Sequence, residues 1–170
     1  EKYQNELIEL FKSLIKFNTS NPPGNEKNIA LFIKDTLKAD DIYSEIIPAC
    51  AGGESKPNRA NLIAQIDGRS TAHHAPTLLL AGHMDTVPAN SFDWNVPPFD
   101  GIIKDGFIYG RGAIDMKNML AMSIMAVKIL KRERINLSKN IILSFFADEE
   151  TGCDLGSKYI VENYPEKISA

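Results

Sequence analysis

The sequence contains few cysteines and no strong excess of charge. Cys50 and Cys153 are its two cysteines; they lie far apart and neither belongs to a CxxC pair, which argues against a disulfide framework and a thiolate zinc site. The formal net charge is -3, with acidic and basic residues scattered, so the cationic surface that phosphate backbones or anionic lipids require is missing. We therefore expect no nucleic acid and no membrane as partner, and a cytoplasmic location.

Long apolar runs are also missing. The longest, Met119 to Val127 and Ile141 to Ala147, fall far short of the roughly 20 residues that span a bilayer, and no signal-peptide pattern opens the chain. Hydrophobic residues make up 44% and charged residues 24% of the 170 residues, a composition that excludes a disordered or collagen-like chain. The length fits a single folded domain, residues 1–170.

Apolar periodicity predicts alternating helices and strands. Spacings of three and four residues indicate amphipathic helices over Tyr3 to Phe17 and around Ile29 to Leu37, with turn residues in Asn18 to Gly24 between them. A third helix is predicted over Asp115 to Leu130, and Ala51 to Asn58 and Gly68 to Pro76 are expected to be exposed loops. Five strands are predicted from short apolar runs bounded by turn residues: Tyr43 to Ile47, Ala60 to Ile66, Thr77 to Ala81, Ile102 to Tyr109 and Asn140 to Ala147.

Two of these runs, LLLAG and IILSFFA, are almost continuously apolar, which is typical of central strands covered by helices on both faces of a sheet. The alternation of elements predicts an α/β fold, a three-layer sandwich with a mixed central sheet. Ligands of such sheets gather at the carboxyl ends of the strands. Polar residues that follow the apolar runs are therefore the first candidates for a site.

Such residues follow both runs. His83 and Asp85 come directly after LLLAG and point to the same side, so one can bind a metal while the other orients nearby groups. Glu149 and Glu150 end the IILSFFAD run and form an acidic triplet with Asp148, in which adjacent carboxylates repel unless a cation or a shared proton compensates them. Asp115 follows GRGAI at a predicted helix start, where a helix cap is the simpler role.

Each feature alone is weak, since a lone His-x-Asp is more often structural and an acidic triplet is more often a solvated strand end. Together they form a set of nitrogen and oxygen donors that suits zinc, cobalt or manganese. A carboxylate that bridges two metals lets them share a water that becomes nucleophilic near neutral pH. Glu149, beside a ligand, is the candidate base for that water.

Four sequence blocks occur in the order and at the spacings of a known family. The blocks are GHMDTVPA, WNVPPFDG, DGFIYGRGAIDMKNMLAM and FFADEETG. They resemble the di-zinc family that includes acetylornithine deacetylase, succinyl-diaminopimelate desuccinylase, aminoacylase-1 and the glutamate-releasing carboxypeptidases. The resemblance covers most of the chain from Tyr3 onward. It implies a zinc-exopeptidase-like catalytic domain that hydrolyses an amide bond in N-acyl amino acids or short peptides.

The resemblance also implies a role for each candidate residue and two zinc ions as cofactors. His83 would bind one metal, Asp85 would orient that histidine, and Asp115 would bridge both metals. Glu150 would bind the second metal and Glu149 would act as general base and later as proton donor. The family's remaining carboxylate and histidine ligands and its lid and dimerisation domain have no counterpart here. We therefore expect this chain to be inactive alone and the full-length protein to be a homodimer.

Two alternatives stay open at this point. One is a binding protein that keeps the motifs as a relic, although a relic would be expected to have lost part of the set. The other is a different two-metal hydrolase such as a phosphoesterase, against which the GRGAIDMK and ADEETG blocks argue. Of the remaining polar residues, His73 and His74 are interpreted as solvated loop residues, Trp94 as a packing residue and Arg111 as support for the loop before Asp115.

Overall fold

The computed structural model describes residues 2–51, 53–68 and 76–169; His73 and His74 lie outside this part. The helices are α1 (Gln4–Ile15), α2 (Glu26–Lys38), α3 (Asn118–Arg132) and α4 (Ser157–Asn163). The strands are β1 (Ser44–Ala51), β2 (Glu54–Ile66), β3 (Thr77–His83), β4 (Ile102–Lys104), β5 (Phe107–Tyr109) and β6 (Asn140–Phe146). None of the helices in the described ranges is long and apolar enough to cross a bilayer.

The main sheet is mixed, as predicted, and has the strand order β1-β2-β6-β3. β2 pairs antiparallel with β1 and with β6, whereas β3 pairs parallel with β6. Within the described ranges β3 is therefore an edge strand of the sheet, and the prediction that it is central was wrong. Its run LLLAG is only partly covered, and Leu78 is 49% exposed.

Helices cover both faces of the sheet, which confirms the three-layer arrangement. Side chains alternate between the faces because successive residues of a strand point in opposite directions. On one face, Leu62, Leu143 and Phe145 pack in a core with residues of α1, α2 and α3. On the other face, Ile63 and Ile142 pack against Ile160 of α4. The amphipathic spacing of the first two helices reflects the same core, because Leu14 of α1 and Ile33 of α2 are fully buried in it.

Two predicted boundaries were wrong. Residues 51–58 were expected to form a loop, but β1 and β2 extend into this segment as a hairpin with exposed side chains. The run from Ile102 to Tyr109 is not one strand of the main sheet; β4 and β5 form a separate two-stranded hairpin. Asp105 and Gly106 both have positive φ, 52° and 80°, as an Asp-Gly hairpin turn requires.

Candidate metal centre

The parallel pairing of β3 with β6 brings the sequence-predicted residues to one edge of the sheet. His83 lies opposite Phe146 in the register, so the chain leaves both strands at the same level. The segment after β3 carries Asp85, and the segment after β6 carries Glu149 and Glu150. The strand ends therefore supply the imidazole and the carboxylates of the site.

His83 is at the centre of the contacts. Its Nε2 lies 2.9 Å from Oδ1 of Asp115 and 3.9 Å from Oε2 of Glu149. Its Nδ1 lies 3.1 Å from the backbone oxygen of Asp85 and 3.4 Å from Oδ1 of the same residue. Hydrogen bonding of Nδ1 to Asp85 leaves Nε2 as the nitrogen that faces the acidic side chains, which is the usual way in which a ligating histidine is oriented.

Asp85 is fully buried and connects the two strand ends. Its Oδ1 accepts a hydrogen bond from the backbone N–H of Glu149, and its Oδ2 accepts one from the N–H of Glu150, both at 3.1 Å. Burial alone would raise the pKa of Asp85, but the hydrogen bonds from His83, Asn21 and these amides outweigh it and lower the pKa. Asp85 is therefore a buried carboxylate that fixes the histidine and both glutamates.

Glu149 and Glu150 complete a cluster that could hold a metal. One ligand atom from each of His83, Glu149 and Glu150 lies within 4.8 Å of the other two. Oε1 of Glu150 accepts a hydrogen bond from the backbone N–H of Val87 at 3.2 Å, which holds its carboxylate toward β3. Burial and the neighbouring charges of Asp115 and Asp85 raise the pKa of Glu150. This donor set of one nitrogen and several oxygens fits a hard or borderline divalent metal.

Asp115 reaches the site from a different element than predicted. The helix begins at Asn118, three residues later than expected, and Asp115 has extended backbone angles, φ −118° and ψ 98°. The helix-cap role is therefore wrong. The side chain of Asp115 is 74% exposed and contacts His83 alone among the acidic and basic groups of the described ranges, so its carboxylate is free to take a second ligand.

Trp94 and Arg111 line a cavity beside Asp115. The cavity has a volume of about 310 Å³ and is also lined by other residues of the segment from Ile108 to Asp115. The guanidinium carbon of Arg111 lies 5.3 Å from the centre of the Trp94 ring, a cation–π contact. Nε of Arg111 is buried, and no described residue accepts a hydrogen bond from it. Asp115 belongs both to this cavity and to the contacts of His83, so the cavity adjoins the candidate site.

The segment that carries Asp115 is anchored by Lys117, which is fully buried. Its Nζ donates a hydrogen bond to the backbone oxygen of Phe17 at 2.7 Å, and in the described ranges no carboxylate forms an ion pair with it. Gly112 permits this packing, because it has φ 79° and an added Cβ would lie 2.7 Å from Thr86 Cγ2. Burial lowers the pKa of Lys117 to about 7.

The buried Lys117 predicts a specific pH dependence of stability. Its pKa is lower in the folded state, about 7, than the ordinary value of 10.5, so between these values the unfolded chain binds more protons. The contribution of Lys117 to the free energy of unfolding is then lowest below pH 7 and rises with pH by up to about 1.4 kcal/mol per unit in this window. Lys117→Met removes that slope.

Urea unfolding of both proteins at pH 7, 8 and 9 tests this prediction. We expect Lys117→Met to be the more stable protein at pH 7 and its advantage to shrink with rising pH. A difference between the two proteins that stays constant over this range would show that Lys117 does not titrate there.

The site also contains residues that the sequence patterns did not single out. Asp148, the first acid of the triplet, is turned away from His83 and contacts Arg59 and Asn21 instead. Arg59 in turn pairs with the buried Glu26. Polar residues in the interior of a strand or beside prolines have no periodicity that would reveal such contacts. The one available signal was the position of Arg59, a charged residue directly before the apolar run of the predicted strand Ala60 to Ile66.

Comparisons with known proteins agree with the resemblance seen in the sequence. The profile of Peptidase family M20/M25/M40 matches residues 79–170. An uncharacterized metallohydrolase of Methanococcus maripaludis is 35% identical over 173 residues, which is 96% of this chain and 40% of the relative. A protein named probable succinyl-diaminopimelate desuccinylase, from Staphylococcus epidermidis, is 34% identical over 149 residues, 87% of this chain and 34% of the relative. The chain belongs to the peptidase family M20/M25/M40.

Solved structures share the fold. Human carnosine dipeptidase 1 superimposes with a TM-score of 0.80 at 22% identity, over 98% of this chain and 37% of that chain. A dinuclear metal-binding peptidase of the M20 family from Bacillus subtilis superimposes with a TM-score of 0.64 at 21% identity, over 95% of this chain and 39% of that chain. This chain spans about two fifths of the length of the first curated relatives that it matches, 40% and 41%.

Proposed function

We propose that this chain carries part of the active site of a metal-dependent hydrolase that cleaves an amide bond in N-acyl amino acids or short peptides. The cluster of His83, Glu149 and Glu150 within 4.8 Å is the observation that carries the proposal. Membership of a family of metallohydrolases supports it. The names of the relatives, a desuccinylase and a dipeptidase, support the substrate class.

The residues fit two metal ions, which we propose to be zinc, with cobalt or manganese as substitutes. His83 Nε2 would bind one ion, Glu150 the other, and Asp115 would bridge them, since its exposed carboxylate already contacts His83. When bound, the ions polarise the substrate carbonyl and make a water acidic enough to be deprotonated near neutral pH.

The chemistry of the chain's own residues follows from their contacts. Asp85 holds the Nδ1 side of His83, so that Nε2 faces the acidic side chains. Glu149 is 52% exposed and its Oε2 lies 3.9 Å from His83 Nε2, so it can accept a proton from a water beside the cluster. The same carboxyl group can then donate that proton to the leaving amine. Glu149 is thus the general base and acid.

We further propose that segments outside this chain complete the site. The chain spans about two fifths of its first curated relatives, and the resemblance implies that the missing ligands and a lid and dimerisation domain lie in the remainder. The complete protein is this chain joined to those segments. Alone, the chain would bind metal weakly and hydrolyse nothing, and the complete protein would be a homodimer.

A chelation experiment tests the proposed function. The complete protein should hydrolyse N-acetyl amino acids or dipeptides, lose this activity on treatment with a chelator, and regain it when zinc, cobalt or manganese is added. Phosphate monoesters should not be cleaved. An enzyme that hydrolyses amides at an unchanged rate after complete metal removal would contradict the proposal, and so would cleavage of phosphate esters alone.

The proposal predicts that metal binding displaces a proton from His83. Burial would lower the pKa of this residue, but hydrogen bonds to Asp85 and Asp115 and the charge of Glu149 raise it from 6.5 to about 9. In the metal-free protein, the stabilisation that protonated His83 gains from these partners is fully present below pH 6.5 and is lost as the pH rises through about 9. Apparent metal affinity should therefore rise about tenfold per pH unit between pH 6.5 and 8.

Calorimetric titration in two buffers of different ionisation enthalpy measures the released protons directly. We expect about one proton per chain to come from His83 when the metals bind at pH 7. His83→Ala should abolish this release and the binding of at least one metal ion. Metal binding at pH 7 without proton release would show that His83 is neutral there or is not a ligand.

A further inference from the structure

Two buried side chains outside the ligand set lie behind the metal centre. We propose that Asn21 and Arg59 are positioning residues, which act through Asp85 and Asp148 to aim Glu149 and Glu150 at His83. The inference rests on the proposed function, because it concerns the same metal site. Neither residue is within hydrogen-bonding distance of a proposed ligand's side chain, so any effect on the metal must be transmitted.

Asn21 joins the two strand ends. Its Nδ2 lies 2.8 Å from Oδ2 of Asp85, 3.2 Å from Oδ1 of Asp148 and 2.9 Å from Oγ1 of Thr151. The residue is 3% exposed. Its backbone is held as well, because the N–H of Asn21 donates to the oxygen of Thr86 at 2.8 Å. One amide group therefore contacts the segment after β3 and the segment after β6.

Arg59 approaches the same turn from β2. Its Nη1 donates to Oδ1 of Asp148 at 3.1 Å, and its Nε and Nη2 donate to the two oxygens of Glu26 at 2.9 and 2.5 Å. Glu26 is fully buried, so this bidentate pair fixes the guanidinium in a single orientation. Gly24 leaves the space for it, since an added Cβ would lie 2.4 Å from the guanidinium carbon.

Asp148 needs these partners because of its backbone. It has φ 66° and ψ 22°, the left-handed region that residues other than glycine seldom adopt. Its Oδ2 also accepts the N–H of Leu155 at 3.1 Å, and its Oδ1 accepts the hydroxyl of Thr151 at 2.6 Å. This conformation turns Asp148 away from the site while the next two residues face it. The partners of Asp148 thereby set the direction of Glu149 and Glu150.

Asp85 provides the second connection. The backbone amides that it binds belong to Glu149 and Glu150 themselves, and the same carboxylate orients His83. A shift of Asp85 would move the histidine and both glutamates together. Asn21 is the side chain that links Asp85 with Asp148. Its replacement should therefore loosen the positions of Asp85 and Asp148 without removing any proposed metal ligand.

The experiment compares Asn21→Ala and Arg59→Lys in the complete protein with Arg132→Lys as control. Lysine keeps the charge of Arg59 but not its fork of donors. Arg132 also contacts two carboxylates, those of Glu6 and Asp40, but lies at the far end of α3 from the site. Zinc affinity is measured by calorimetry, cobalt coordination by visible absorption, and folding by circular dichroism and thermal unfolding.

We expect Asn21→Ala and Arg59→Lys to fold, to bind zinc about 10- to 100-fold more weakly, and to change the cobalt spectrum. Their kcat should fall with little change in KM, whereas Arg132→Lys should keep the affinity and spectrum of the wild type. Wild-type zinc affinity and cobalt spectra in both site variants, with a lower Tm alone, would overturn the inference and leave a purely structural network. Absence of metal binding in the wild type would instead overturn the proposed function, and this inference with it.

Discussion

Glu149→Gln should lower kcat for amide hydrolysis by about 10²- to 10⁴-fold in the complete protein, because it removes the proposed general base and keeps its size. Glu149 is half exposed and lies 3.9 Å from the Nε2 of His83, so glutamine can occupy the same position without repacking. Metal binding should persist, because the proposed ligands His83, Asp115 and Glu150 are unchanged. The expected signature is therefore a protein that is loaded with metal and almost inactive.

Kinetics and metal content measured on the same samples separate base catalysis from metal loss. The matched control is Glu162→Gln, which makes the same chemical change at an exposed position of α4 and should leave kcat unchanged. Nearly full activity of metal-loaded Glu149→Gln would rule out Glu149 as the base. Loss of activity in proportion to lost metal would instead make Glu149 a ligand.

Arg59→Met should destabilise the fold by about 3–5 kcal/mol, since removal of one partner leaves buried charges without compensation. Glu26 is fully buried and Asp148 nearly so, and Arg59 contacts both. The double variant Arg59→Met with Glu26→Gln should recover part of this loss, because it removes the carboxylate that lost its partner.

Urea unfolding at neutral pH measures the free energies of unfolding. Arg132→Met serves as the control, because its ion pairs with Glu6 and Asp40 are partly exposed and exposed pairs contribute about 0–1 kcal/mol each. Equal losses for Arg59→Met and Arg132→Met would contradict the account of a buried network, and so would a double variant less stable than Arg59→Met.

The elements that carry the site were predictable because their signals are local. The apolar runs before His83 and before Asp148 predicted β3 and β6, and the chemistry of the residues that follow them predicted a metal site at their carboxyl ends. The parallel register then places these ends side by side. A mixed sheet between helical layers followed from the alternation of elements.

Other features were not predicted, either because a local signal was misinterpreted or because they depend on contacts between distant segments. The Asp105-Gly106 turn divides an apolar run into two strands of a separate hairpin, although the run from Ile102 to Tyr109 was predicted to be one strand. The backbone at Asp115 is set by the buried Lys117 and the close packing at Gly112, not by a helix cap. Asn21 and Arg59 join segments far apart in the chain, so no spacing rule could pair them.

Zinc titration of the complete protein and of its His83→Ala variant tests the central claim most directly. The wild type should bind two zinc ions per chain, and His83→Ala should lose at least one of them together with amide hydrolysis, because Nε2 of His83 faces the acidic cluster. Circular dichroism should show that the variant is folded. Two zinc ions bound with wild-type affinity by folded His83→Ala would contradict the account, because the metal would then lie elsewhere.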